Sequence, residues 1–185
     1  MKLNLGAGTD IYQGWVNHDI SKLPGINEVH DLNLRPWPWV DAQFSEVLAR
    51  DIFEHLDEFI PAIEELWRIM QPGAIARIRV PYMGSWSFHA DPTHKRAFHE
   101  TTFMHFDPSS NYCQDRPYYT HARFRIVSYS YVCAPFIPFF TIPGIGEFRV
   151  VRRWSKLVVG FIAMFFVANL IQDLDISIER IDSEI

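Results

Sequence analysis

Cysteine is scarce. The 185 residues contain two, Cys113 and Cys133, far apart and without metal-ligand spacing. That excludes a disulfide framework and points to reduced thiols in a cytoplasmic setting. Long hydrophobic runs are missing too: the longest, Leu157 to Ala168, has twelve residues, short of the ~18 that suggest a membrane span. Met1-Lys2-Leu3-Asn4-Leu5-Gly6 meets glycine too soon for a secretory leader. A basic surplus is lacking, since 17 Lys and Arg face 22 Asp and Glu for a net charge of −5. No general nucleic-acid binder is expected from that balance. Neither a repeat nor a low-complexity tract is present.

Aromatic rings are what the chain has in quantity. Six Trp, seven Tyr and fifteen Phe make 28 rings, and 20 of them lie in residues 82–185. Charge divides at the same place: residues 1–81 carry twelve acids and seven bases, residues 82–185 ten of each. The length suits one domain, 1–185. Within it the first half is an acidic scaffold and the second a neutral, ring-rich surface or pocket.

Lys2 to Leu5 is a short apolar strand breaking into Gly6-Ala7-Gly8-Thr9-Asp10. Trp15 to Asn17 is a second strand ending at Asp19, Val29 leads to Asp31-Leu32, and Glu46 to Ala49 is a further strand. Asp57 is the expected N-cap of a helix whose apolar face is Phe59, Ile63, Leu66, Trp67 and Met70, ended by Pro72-Gly73. Ala74 to Val80 follows as a strand. This order predicts an α/β sheet, parallel at least in part, with ligands beyond the carboxyl ends of its strands.

Gly6 and Gly8 allow a sharp turn and close approach of a ligand to the main chain. An acid ending the second strand is placed to accept hydrogen bonds from ribose hydroxyls. Together they suggest an adenosine-containing cofactor, although an ordinary tight turn uses the same glycines.

Leu3-Asn4-Leu5-Gly6-Ala7-Gly8, Gly14-Trp15-Val16-Asn17-His18-Asp19, His30-Asp31-Leu32 and Glu54-His55-Leu56, in that order, resemble class I S-adenosylmethionine-dependent methyltransferases. Leu66 to Gly73 is similar to that family's turn before its fifth strand, and the small type 11-like subgroup is the nearest match. The resemblance implies a Rossmann-like, mostly parallel sheet with an antiparallel edge strand and S-adenosylmethionine as cofactor. By the same resemblance Gly6, Ala7 and Gly8 pass the methionine part and Asp19 holds the ribose. Asp31 and Leu32 frame the adenine, and Asp51-Ile52 sits beside the sulfonium. Asn4, Leu5, Thr9 and Ile20 complete the expected cofactor-binding set. Two departures stand out: Asn4 replaces a common acid, and Asp10 a common third glycine. From Gly8 to Asp19 there is no room for a strand plus a helix of about three turns, so the first crossover helix is predicted to be shortened or missing.

Residues 82–125 are the expected acceptor-site region. Its His89-Ala90-Asp91-Pro92-Thr93-His94 stretch has two readings. His89, Asp91 and His94 could bind zinc or iron as part of a hydrolase. Alternatively, Asp91-Pro92-Thr93-His94 resembles a loop those methyltransferases place over the site, followed by an element containing Phe103. His94 is then a catalytic base oriented by Asp91, or Asp91 merely caps a turn and His94 secures the loop. The expected catalytic pair is His94 and Asp91, with no metal. Arg35-Pro36-Trp37-Pro38-Trp39 either walls the adenine side or anchors a loop on the core.

Arg123 to Val132 and Asp173 to Ile181 are read as the last two strands, an antiparallel pair at one sheet edge. Between them, 134–171 is a long insert. Pro135, Pro138 and Pro143 preclude a regular helix at its start, and Arg149, Arg152, Arg153 and Lys156 precede the apolar run. Two readings follow: a helix covering the core, or a peripheral contact with an anionic membrane. The function expected is transfer of a methyl group to a small or lipid- or glycan-linked acceptor, without nucleic acid. A cofactor-binding module lacking catalysis is the alternative.

Overall fold

The computed structural model describes residues 1–133, 148–151, 153–165 and 170–182. The parallel strands are β1 (Lys2–Leu5), β2 (Val16–Asp19), β3 (Glu28–Val29), β4 (Phe44–Arg50) and β5 (Met70–Pro81). Helix α1 (Phe59–Ile69) joins the last two. Short helices α2 (Trp86–Ala90), α3 (Glu100–Met104) and α4 (Asn111–Asp115) precede β6 (Phe124–Cys133). Then come β7 (Phe148–Val150), α5 (Arg153–Phe165) and β8 (Ile171–Arg180). One sheet results, in the order β3-β2-β1-β4-β5-β8-β6-β7.

Three strands rather than two make the antiparallel edge. β8 lies between β5 and β6, and β7, from within the insert, pairs outside β6. The expected shortening of the first crossover is seen: only turns connect β1 to β2. In place of the helix, buried amides hold the loop. Asn17 accepts from Tyr12 N–H at 3.0 Å, donates to Tyr12 O at 2.9 Å, and receives Asn4 Nδ2 at 3.1 Å. Asn27 Oδ1 accepts the Asn17 backbone N–H at 2.8 Å.

Helix α1 buries Phe59, Ala62, Ile63, Leu66 and Ile69, each large apolar side chain contributing about 1.5–3 kcal/mol. Its start corrects the sequence reading. Glu58, not Asp57, is the N-cap and makes no side-chain cap bond, while the Asp57 carboxylate pairs with Lys95 Nζ at 2.5 Å. The helix ends at Ile69, before Pro72-Gly73, and Met70 is already extended. Trp67 is half-buried and its Nε1 donates to Ile181 O at 3.0 Å.

Register separates the two faces of the sheet. Val47, Ala49, Ala76, Ile78, Ile176 and Ile178 line the buried face. Glu46, Arg77, Arg79 and Asp175 alternate with them on a charged face, joined by Arg77–Glu46, Arg79–Asp175 and Arg149–Asp175 pairs. Trp37 and Trp39 are buried, and Arg68 donates to both of their carbonyls. The proline-tryptophan segment therefore anchors a loop on the core. Part of the aromatic excess has a place here as well: Phe98, Phe103 and Phe106 pack edge-on against Phe59, fastening the region after β5 to α1.

Among the described residues no helix is long and apolar enough to cross a membrane. Helix α5 sets Val159 against the core and Lys156 Nζ 3.6 Å above the Tyr129 ring. Trp154, Leu157, Val158 and Phe161 are 57–80% exposed at i, i+3, i+4, i+7 spacing, a solvent-facing apolar stripe. The proline-rich start of the insert and 166–169 lie outside the described residues.

Candidate functional site

The carboxyl ends of β1 to β4 meet at one edge of the sheet. Gly6 and Gly8 have φ of +67° and +52°, values that favour glycine. A Cβ on Gly6 would lie 1.8 Å from Ile52 Cδ1, whereas one on Gly8 would meet nothing within 4 Å. Space is thus open above the second glycine. Asp19 Oδ2 accepts Gly8 N–H at 2.9 Å and Oδ1 accepts Ser21 N–H at 2.9 Å. Each oxygen can accept another bond, so Asp19 both fixes the turn and presents acceptors beside it.

His18, unassigned by the sequence reading, completes this support. Its Nε2 lies 2.9 Å from His30 O, and its Nδ1 receives Gly6 N–H at 3.4 Å. A carbonyl only accepts, so Nε2 carries the proton and the ring is neutral. Burial lowers its pKa below 6.5.

The other predicted cofactor residues divide into two sets. Thr9 and Ile20 are exposed beside the turn, and Asp31 is partly exposed, with Oδ1 accepting Asn33 N–H at 2.9 Å. Asn4, Leu5, Ala7 and Leu32 are buried. Asn4 Nδ2 turns under the loop to Asp10 O at 2.7 Å, so it braces the turn from beneath. Asp51 follows β4 with φ of +54° and donates its N–H to Arg79 O at 3.0 Å. Protein atoms crowding its carboxyl raise its pKa, and Arg79 opposes the rise.

A second constellation adjoins this edge. Glu54 is fully buried, and among the described residues neither carboxylate oxygen has a hydrogen-bond partner. Burial pushes its carboxyl up to about 8, and Asp51, Asp173 and Asp91 add to the rise. Lys95 N–H donates to Glu54 O at 2.8 Å and brings the 91–95 loop alongside. His94 Nε2 then lies 3.9 Å from Glu54 Oε1 and 3.9 Å from Asp91 Oδ2. His94 Nδ1 is held by Phe88 O at 3.0 Å, so this carbonyl orients the ring. Asp91 Oδ1 accepts Thr93 N–H at 2.8 Å and Thr93 Oγ1–H at 2.6 Å, closing a turn. His89 is exposed. Among the described residues, the group able to converge on a cation is Glu54, His55 and His94, not the His89, Asp91 and His94 set of the alternative hydrolase reading.

A cavity of about 570 Å³ lies elsewhere, on the charged sheet face among Arg50, Arg77, Arg79, Tyr129 and Lys156. None of the predicted cofactor-binding residues lines it.

Solved structures share this architecture over nearly the whole chain. A SAM-dependent methyltransferase from Archaeoglobus fulgidus aligns with TM-score 0.59 and 18% identity, over 97% of this chain and 85% of its own. The fold is Rossmann-like, of the methyltransferase kind. A 1,6-didemethyltoxoflavin-N1-methyltransferase from Burkholderia thailandensis, solved with S-adenosylhomocysteine bound, aligns at 0.52 with 13% identity over 98% and 71%. The cyclase SpnF aligns at 0.56 with 15% identity over 98% and 75%. A fold that carries transferases and a cyclase leaves the reaction to be argued from the site. Neither the protein-family models nor the curated proteins match the sequence.

Proposed function

We propose that this chain binds S-adenosylmethionine across the ends of β1 to β4 and methylates a small or lipid- or glycan-linked acceptor. The observation that carries the reading is the Gly8–Asp19 bond beneath open space: a left-handed glycine turn tied to an acid at the end of the next strand. The residues fit the cofactor. Asp19 retains acceptor capacity for two ribose hydroxyls, Asp31 lies one strand further along, and the Gly6-Ala7-Gly8 main chain can approach an amino acid moiety closely.

When bound, the cofactor supplies a methyl group on a sulfonium for in-line displacement. The chain's part is alignment, which is the main requirement of such a transfer. Residues 82–125, fastened to α1 through Phe59, receive the acceptor. His94, its Nδ1 occupied by Phe88 O, has Nε2 available to take the acceptor's proton, and Asp91 shapes the turn that presents it. The cytoplasm is the proposed compartment, with the apolar stripe of α5 and its basic flank resting on an anionic membrane.

Incubation with methyl-labelled S-adenosylmethionine and separated polar and lipid extracts tests the reading. Label entering one extract supports a transferase. Cofactor binding without label in either extract supports the non-catalytic module instead.

A further inference from the structure

We propose that Glu54, His55 and His94 form a binding site for a divalent transition-metal ion, of the two-histidine, one-carboxylate kind. Each offers one donor atom, and all three atoms lie within 4.8 Å of one another. Zinc bound at about 2.0–2.1 Å sets tetrahedral ligands about 3.3 Å apart, so side-chain rotations on the order of 1 Å close the site.

Three independent features point to a cation. The first is Glu54, whose side chain is 1% exposed, with both oxygens lacking a hydrogen-bond partner among the described residues. Such groups in folded proteins ordinarily have a partner, and a bound ion supplies one where no protein group does. The second is the state of the imidazoles. Phe88 O can only accept, so His94 Nδ1 is protonated and Nε2 holds the lone pair. Thr93 donates its hydroxyl to Asp91 Oδ1 at 2.6 Å, so at 2.9 Å its oxygen accepts from His55 Nδ1–H. Both histidines therefore have the outer partner, a carbonyl or a hydroxyl backed by a carboxylate, that metal-binding imidazoles have. The third is charge, since Asp51, Asp173 and Asp91 lie near enough to Glu54 to act on its carboxyl electrostatically.

Imidazole and carboxylate together suit zinc or ferrous iron, and three ligands leave positions open. An acceptor hydroxyl could fill one of them. It would be held for attack, and its proton would pass to water because His94 is then a ligand rather than a base. That role rests on the proposed methyl transfer; the metal site itself does not.

Chelator-treated full-length protein is titrated with zinc by calorimetry and with cobalt(II) by visible absorption, and S-adenosylhomocysteine binding is measured on the same samples. One equivalent of either metal is expected, with zinc displacing cobalt. Glu54→Gln and His94→Gln should each weaken zinc at least tenfold. Thr93→Val, at an exposed position and so least liable to misfold, should weaken it about tenfold, and His89→Gln should leave it unchanged. Loss of zinc binding in His89→Gln, or unaltered binding in Thr93→Val and His94→Gln, overturns the assignment. So does the absence of saturable binding below about 100 µM zinc in wild-type protein. If zinc binds and S-adenosylhomocysteine does not, the metal site stands and the methyltransferase reading falls.

Discussion

Asn4 donates its side-chain amide to the main-chain carbonyl of Asp10 across 2.7 Å. The two positions where the sequence departs from the methyltransferase pattern are thus in direct contact. Asn4 also donates to Asn17 Oδ1 at 3.1 Å, so the position faces two acceptors and needs a donor. Asn4→Asp should destabilise the protein by about 1–3 kcal/mol, the cost of a buried acceptor left opposing others. Urea unfolding at pH 7.5 measures it; unchanged stability would show that the amides do not replace the missing helix.

His18 makes stability depend on pH. Its pKa is lowered below 6.5 by burial, so between the two values the unfolded chain binds the proton and the folded chain does not. The contribution is complete above pH 6.5 and is lost as pH falls through the lowered folded value, at up to about 1.4 kcal/mol per pH unit. The difference between wild type and His18→Gln in urea midpoint, followed from pH 7.5 to 5, should shrink on acidification. A constant difference contradicts the neutral tautomer.

The α5 stripe should act at an interface. Full-length protein is expected to float with anionic vesicles at low ionic strength and to be released as salt rises. Leu157→Ser combined with Phe161→Ser should reduce recovery several-fold. No recovery on anionic vesicles rejects the membrane contact.

The strand ends and the glycine turn were legible because their signals are local: a short apolar run, glycine, then an acid. The missing crossover helix followed from the Gly8-to-Asp19 spacing alone. The support of the turn was not legible, because Asn4, Asn17 and His18 act through partners chosen by folding. Glu54 and His55 stood in a recognisable motif, yet the 38 positions between His55 and His94 hid their meeting. Asp57 misled as a cap because Lys95, supplied by the distant loop, takes its carboxylate. One signal was present in plain form: Ala76-Arg77-Ile78-Arg79-Val80 alternates apolar and charged residues, the mark of a strand with one polar face.

Whether the Gly8–Asp19 turn binds S-adenosylmethionine is decided by calorimetric titration with S-adenosylhomocysteine, with NAD as the comparison. Wild-type protein should bind S-adenosylhomocysteine and not NAD, and Asp19→Ala should weaken the binding at least tenfold. Equal affinity of wild type and Asp19→Ala, or no heat with S-adenosylhomocysteine, would contradict the account.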